Sequence, residues 1–422
     1  MLTLKLSILV FIPFLFIAGS FAQEIKPLIL NNLIEEALTN NPQLKAYYHA
    51  AEADAAKIPQ AGSLPDPVLS LNAMNLPADN LVFDQEPMTG KQVAVMQKFP
   101  FPGKLGLQEH IAEKNREVSD AAYREMRNQL VQNVRMLYYD LYYADKSIAT
   151  TKKNQSLLNE FVKIAETKYS VGKGLQQDVL KAQVELSRMT DRLITLKQKR
   201  EQLEAKLNAM LNRPVTQPLG PTIELQDSVH SFNHSQMEKI VADNRPLLKV
   251  WQSRADQSGE QISLARKNYW PDFTLSLAYT QRDVLQNGSG GVDFLSGGIS
   301  LNVPLYFWRK QGKMVEEKKL LKNQADENYL NIKNQVMAEL DNALTGLDKN
   351  AEQLELYKTG IIPQATQSLQ SAIIGYQTDK VDFLTLVNNQ LTLFSLELEY
   401  TRILSEYYKN LAQLDFIAGI NL

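Results

Sequence analysis

Hydrophobic positions along this chain follow two periods. From Val118, apolar or small residues step by three and four through Ala122, Met126, Leu130, Val134, Leu137, Leu141, Ala144 and Ile148, the spacing of an amphipathic helix. No proline falls between Pro102 and Pro214, and no glycine between Gly106 and Gly172. The pattern therefore predicts one helix from about Leu105 to Tyr169, on the order of 100 Å long at ~1.5 Å per residue. "VGKG" at Val171 to Gly174 can take positive φ and reverse the chain, and a second helix from about Gln177 to Leu211 returns antiparallel. The same plan recurs from Lys310 to Gly375 and from Val381 to Phe416, with Gly360 and Pro363 marking an interruption or kink. Four short stretches have period two instead: 67–73, 91–99, 273–280 and 294–303. In "FTLSLAYT", Phe273, Leu275, Leu277 and Tyr279 share one face, while Thr274, Ser276, Ala278 and Thr280 share the other.

Segments of the two halves match one another. Lys45 falls over Lys249, Pro65-Asp66 over Pro271-Asp272, Pro100 over Pro304, and Tyr169 over Tyr376, at separations of 204 to 207 residues. Near-constant spacing across four segments indicates a duplication. The expected units are a first repeat over 23–221, with strands 67–73 and 91–99 and a helical hairpin over 105–211, and a second over 222–422, with strands 273–280 and 294–303 and a hairpin over 310–416. Each is expected to open with one helix before its strands. The Pro/Gly-rich "RPVTQPLGPT", Arg213 to Thr222, joins them.

Composition narrows the class. Lys+Arg 45 against Asp+Glu 47 gives no polyanion-binding charge, so nucleic acid is not an expected partner. The absence of cysteine removes disulfides, thiol nucleophiles, thiolate metal sites and a lipidated N-terminus. Lys5, the apolar run from Leu6 to Ile17 and Ser20-Phe21-Ala22 read as a secretory signal over 1–22, cut after Ala22. Beyond it no stretch reaches the roughly 20 apolar residues of a spanning helix, so membrane residence would have to be by β-barrel. The four amphipathic strands approach the ~9–11 residues that cross a bilayer at a tilt. The segments "NLPADNLVFDQEPMTG" and "RDVLQNGSGGVDFLS" between them are long and polar, as outer loops are. Aromatics crowd the opposite strand ends: Phe99, Phe101, Tyr269, Trp270, Tyr306, Phe307 and Trp308, the composition of an interfacial girdle. The bland reading is a soluble sheet capping a helical bundle. Four strands cannot close a barrel when the smallest single-chain examples have about eight, so a membrane reading requires sharing; three chains would supply twelve.

The order of these features resembles the TolC-type outer-membrane efflux proteins over essentially the whole mature chain. The carrying marks are "EALTNNPQL" from Glu36, the doubled strand pairs, and "YSVGK" at Tyr169 followed by "DVLKAQVEL" to Leu186. The second half has "YQTDKVDFLTLVNNQL", with Asp379 where the usual glycine would stand. "QKFPFPGKL", Gln97 to Leu105, looks like the heavy-metal efflux branch. The resemblance implies a mostly α fold with a β-barrel contribution: a homotrimer with a shared twelve-stranded barrel in outer-membrane lipid and a long α-helical periplasmic tunnel. It also implies a passive exit duct served by a periplasmic adaptor (membrane fusion protein) and an inner-membrane RND-type pump. Drug efflux, type I secretion and, in another class, a periplasmic coiled-coil scaffold are the competing readings. Without a lipidated cysteine, the chain should rely on the barrel alone.

In such a duct, constrictions and docking surfaces would fall at the hairpin turns. Asp178, Asp379 and Asp382 lie there, and threefold repetition would make carboxylate rings that favour cations. Equally, Asp178 and Asp382 can simply open the returning helices. Tyr169 and Tyr376 are expected to pack the turns and narrow the passage; Gly172, Lys173 and Gly174 are adaptor-contact candidates. Phe273, Leu275, Leu277 and Tyr279 should face lipid, with Trp270, Tyr306 and Trp308 in the girdle. His230 and His234 in "HSFNH" have helical i, i+4 spacing but no evident third ligand. No phosphate-cradling glycine loop or nucleophile elbow occurs. Catalysis, a bound metal and a cofactor are accordingly not expected.

Overall fold

A computed structural model describes residues 27–420, and the signal segment lies outside them. The first elements are α1 (Leu30–Asn40) and α2 (Pro42–Gly62), then β1 (Val68–Met74), β2 (Gly90–Phe99), α3 (Lys104–Ser170) and α4 (Gln176–Met210). The order then recurs: α5 (His234–Asn244), α6 (Pro246–Lys267), β3 (Phe273–Gln281), β4 (Phe294–Leu301), α7 (Gln311–Leu356), α8 (Ile362–Gln377) and α9 (Phe383–Ala418). Among the described residues, no helix is long and apolar enough to cross a membrane.

Each half opens with two helices rather than one. The residue before a proline is pushed out of the α region, and both Asn41 before Pro42 and Arg245 before Pro246 have extended ψ, 121° and 114°. The Asn41 side chain caps the second segment by accepting from Leu44 N at 3.0 Å. The interruption expected at Gly360 and Pro363 is a π-helical turn, Tyr357–Ile361, that joins α7 to α8 without an intervening loop. Pro363 has no N–H for the ordinary ladder, and a wider turn absorbs the missing donor.

The helix α3 is the spine, packing against α2, α4, α6 and α9. Met126, Leu130, Val134, Leu141 and Ala144 are buried as the period requires, with Ala121 in place of Ala122. One core joins Leu33 and Leu44 to Val134, Leu141 and Leu207. A second joins Val241 and Leu248 to Leu340, Ile403 and Leu414, and a third, near the hairpin tips, joins Leu158 and Phe161 to Leu369 and Leu386. The segment after Arg213 is a strap across the helices. Arg200 donates to Gly220 O at 2.9 Å, Thr222 N donates to Asp145 Oδ2 at 2.9 Å, and Tyr408 Oη donates to Gln226 O at 2.7 Å.

The strands form one antiparallel sheet in the order β1-β2-β3-β4. Register places Leu69 opposite Val95, Val95 opposite Leu277, and Leu277 opposite Gly297. Because directly opposed residues share a face, Leu69, Leu71, Val93, Val95, Leu275, Leu277, Leu295, Ile299 and Leu301 form one apolar surface. Helices do not cover it: Leu71 is 75% exposed, Ile299 72% and Leu295 73%. Among the described residues, the outer edges of β1 and β4 are both unpaired.

Candidate functional site

Two places combine exposed surface with a built arrangement of side chains: the sheet with its junction to the helices, and the paired hairpin tips. On β3, Leu275, Leu277 and Tyr279 are exposed and alternate with half-buried Ser276, Ala278 and Thr280. Phe273 is half-buried because it stacks on Phe99, with ring centroids 5.3 Å apart. At the strand ends Trp270 stacks on Phe101 at 5.2 Å, while Tyr306 and Trp308 are exposed.

Beneath the stacked rings lies a polar clamp between the halves. Asp272 accepts from Lys104 Nζ at 2.7 Å and from Phe101 N at 3.0 Å, and Lys98 Nζ is 3.4 Å away. Lys104 also donates to Trp270 O at 3.2 Å and is buried, an uncommon place for a lysine. Burial raises the Asp272 pKa, but the Lys104 ammonium and the Phe101 N–H outweigh it and hold the carboxyl below its ordinary value. In the sequence Asp272 stands out only as a repeat mark, and no spacing joins it to Lys104, 168 residues away.

At the other end, α3 stops where Gly172 takes φ 71°, and Lys173 N donates back to Lys168 O at 2.8 Å, an αL-terminated helix end. Asp379 occupies the corresponding left-handed position in the second hairpin, φ 57°. Lys168, near the end of α3, donates to Asp379 Oδ1 at 2.5 Å and Tyr376 O at 2.7 Å, and its Nζ lies 4.2 Å from the Tyr376 ring centroid. One lysine thus ties the two hairpins together. In sequence it reads only as a cation in the last helical turn, where the macrodipole favours one.

The expected turn residues separate into roles. Tyr376 is buried against Phe383, centroids 5.5 Å apart, whereas Tyr169 is exposed. The position matching Phe383 in the first hairpin is the exposed Gln176, so Tyr169 has no ring to pack on. Asp382 caps α9, accepting from Thr385 N at 2.7 Å, and Asp178 is in the first turn of α4. Burial raises the Tyr376 pKa, and the nearby Asp178 and Asp379 charges add to it. The hydrogen bond from Lys168 holds the Asp379 carboxyl below its ordinary value, as the Thr385 amide does for Asp382. Gly172 and Lys173 are exposed and Gly174 is half-buried; a Cβ on Gly174 would sit 3.0 Å from Tyr169 N.

Asp379→Gly should keep the turn while losing the tie to Lys168. Asp379→Ala should lose the tie and also strain the left-handed backbone by roughly 1–2 kcal/mol. Hydrogen exchange over 375–385 is expected to rise in both variants and further in the alanine one.

The paired histidines are not on one helix. His230 is in irregular chain and His234 begins α5, where it lies 3.4 Å from Asp341 and 3.7 Å from Glu238. Among the described residues no group of three His, Cys, Asp or Glu side chains is placed to hold a metal ion.

An antiparallel sheet with an exposed apolar face, continuous with very long helices, is the architecture of the outer-membrane efflux proteins. The family described as Outer membrane efflux protein matches residues 33–213 and 239–420, and the chain belongs to it. It is similar to the cobalt-zinc-cadmium resistance protein CzcC of Cupriavidus metallidurans, 23% identical over 394 residues covering 93% of this chain and 90% of that one. The solved structure of CusC superposes with a TM-score of 0.80 at 16% identity, covering 94% of this chain and 93% of the other. VceC of Vibrio cholerae superposes at 0.78 with 18% identity, covering 92% and 96%. The protein is thus an outer-membrane efflux protein and not an enzyme. Membership sets aside the soluble-sheet and periplasmic-scaffold readings.

Proposed function

We propose that the chain is the passive exit duct of a tripartite efflux system and works as a homotrimer. The observation that carries this reading is the four-stranded sheet, exposed on its apolar face and, among the described residues, unpaired at both edges. Open edges in hydrocarbon leave backbone groups unsatisfied, and three copies joined edge to edge would close twelve strands. The two helix-helix-strand-strand-hairpin units, 23–221 and 222–422, would then contribute equivalent wall segments. Phe273, Leu275, Leu277 and Tyr279 face lipid, Trp270, Tyr306 and Trp308 sit at the periplasmic border, and Thr274, Ser276 and Thr280 face the lumen.

The long hairpins carry the passage toward the inner membrane, where an RND-type pump delivers cargo through a periplasmic adaptor. Gly172, Lys173 and Gly174 form the surface offered to the adaptor's tip. Asp178 and Asp382, each present three times, supply the acidic groups of the entrance, where Asp379 is paired with Lys168, with Tyr376 bracing it and Tyr169 projecting from it. Such an entrance favours cations, and metal cations are the proposed cargo. The likeness to CzcC, whose name states cobalt, zinc and cadmium resistance, supports this choice.

A deletion strain should become sensitive to divalent metals, with cobalt, zinc and cadmium tested beside copper, silver, detergents and antibiotics. Unchanged metal tolerance with new sensitivity to detergents or antibiotics would assign the duct to organic cargo instead. Of these carboxylates, Asp379 and Asp382 have depressed pKa values, so their charge persists through neutral pH. Cation preference in planar bilayers is expected to hold from neutral pH down to the ordinary carboxylate range, about 4, and to fall below it.

A further inference from the structure

The clamp between the two halves has a second, unfilled copy. The hairpins β1-β2 and β3-β4 carry the same register: Leu69 faces Val95 as Leu275 faces Ile299, and Leu71 faces Val93 as Leu277 faces Gly297. Between the hairpins, β2 meets β3 with Gln97 opposite Leu275 and Val95 opposite Leu277. The matching edges, β4 and β1, have no such partner among the described residues.

The polar clamp is duplicated as well. Asp272 in "WPDF" corresponds to Asp66 in "LPDP", and Lys104 in "KLG" corresponds to Lys310 in "KQG". In the internal junction these two types of residue are ion-paired at 2.7 Å. Asp66 and Lys310 are instead both exposed, with no ion pair to any described residue. They stand at opposite edges of the sheet, Asp66 just before β1 and Lys310 just after β4, too far apart in the topology to meet each other.

We infer that adjacent copies of this chain join by repeating its internal junction: β4 pairs antiparallel with β1 of the next copy, and Lys310 forms an ion pair with the partner's Asp66. The proposal rests on the trimeric reading and specifies its interface. Carrying the internal register across places Leu301 opposite the partner's Leu69 and Ile299 opposite the partner's Leu71, and Ser300 falls opposite the partner's Ser70. Apolar therefore meets apolar on the exposed face, and hydroxyl meets hydroxyl on the other. A slip of one residue would put Leu301 against the partner's Ser70 and Ser300 against the partner's Leu71. Repeating one contact around a closed ring is also what a cyclic oligomer requires.

The chain contains no cysteine, so engineered thiols are the only ones present. Asp66→Cys combined with Lys310→Cys, treated in isolated membranes with a short bis-maleimide, should give covalent dimers and trimers on denaturing gels, and each single variant none. The ladder should stop at three. A wild-type protein that is monomeric in the same membranes would overturn both the trimeric reading and this contact. A heat-labile wild-type trimer whose double-cysteine variant also assembles but does not cross-link would overturn the contact alone. Charge reversal gives an independent readout. Asp66→Lys or Lys310→Asp should lower the temperature at which the trimer dissociates, and the two together should restore it; additive loss in the combined variant would count against the pair.

Discussion

Leu277→Lys is expected to prevent accumulation of the protein in the outer membrane. Leu277 is 56% exposed, in the middle of β3, and its neighbours across the sheet on the same face are Val95 and Gly297. A lysine there meets hydrocarbon, at about 2–4 kcal/mol for a charge at the bilayer midplane, and the penalty would be taken once per chain in a shared barrel. Ala278→Ser, on the opposite face, should be tolerated, because that face already carries Ser276 and Thr280. Fractionation of the envelope distinguishes them: Ala278→Ser in the outer membrane at normal level, Leu277→Lys degraded or arrested in the periplasm. Equal accumulation of both would mean that the exposed apolar face does not meet lipid.

The second large effect belongs to Lys104→Met. Removing the ammonium leaves Asp272 with the Phe101 N–H at 3.0 Å and Lys98 at 3.4 Å. The cost should therefore be about 2–3 kcal/mol, below the range for a fully buried pair stripped of its only partner. Because the clamp fixes how α3 and α6 leave the sheet, the loss should show as protease sensitivity near the Phe99 to Gly103 turn. The acid dependence has a definite sign. The folded-state pKa of Asp272 is depressed, so its stabilising contribution is fully present above the unfolded value, roughly 3.9. It is lost as pH falls through the lower folded value. Wild type should therefore lose clamp stability only in strong acid, while Lys104→Met should be weaker at neutral pH and less sensitive to acid.

Much of the architecture is legible in the sequence because helix and strand periods are written there without interference. The uninterrupted three-four spacing from Val118 to Ile148 lies within a real 67-residue helix, Lys104–Ser170. The two-residue period of "FTLSLAYT" separates exposed Leu275 and Leu277 from half-buried Ser276 and Ala278. What escaped the pattern has identifiable causes. The breaks before Pro42 and Pro246 follow from a steric effect on one preceding residue, which hydrophobic spacing does not register. The strap after Arg213 has the composition of a free linker but is ordered by side chains as distant in sequence as Tyr408 and Asp145.

The candidate sites were less legible for the same reason. Asp379 stands out because it replaces a glycine at a turn, yet its partner Lys168 lies in the other hairpin, 211 residues away. Asp382 declares itself as a helix opener, and the structure gives it that role. Tyr169 and Tyr376 look equivalent in sequence; only the identity of the residue seven positions on, Gln176 or Phe383, separates the exposed ring from the buried one.

The most direct test of the proposed duct is the mass of the complex extracted from purified outer membranes in mild detergent, by native mass spectrometry or light scattering. Three copies of the mature chain in one heat-labile particle are predicted. A monomer, or a protein recovered in the soluble periplasmic fraction, would contradict the shared barrel.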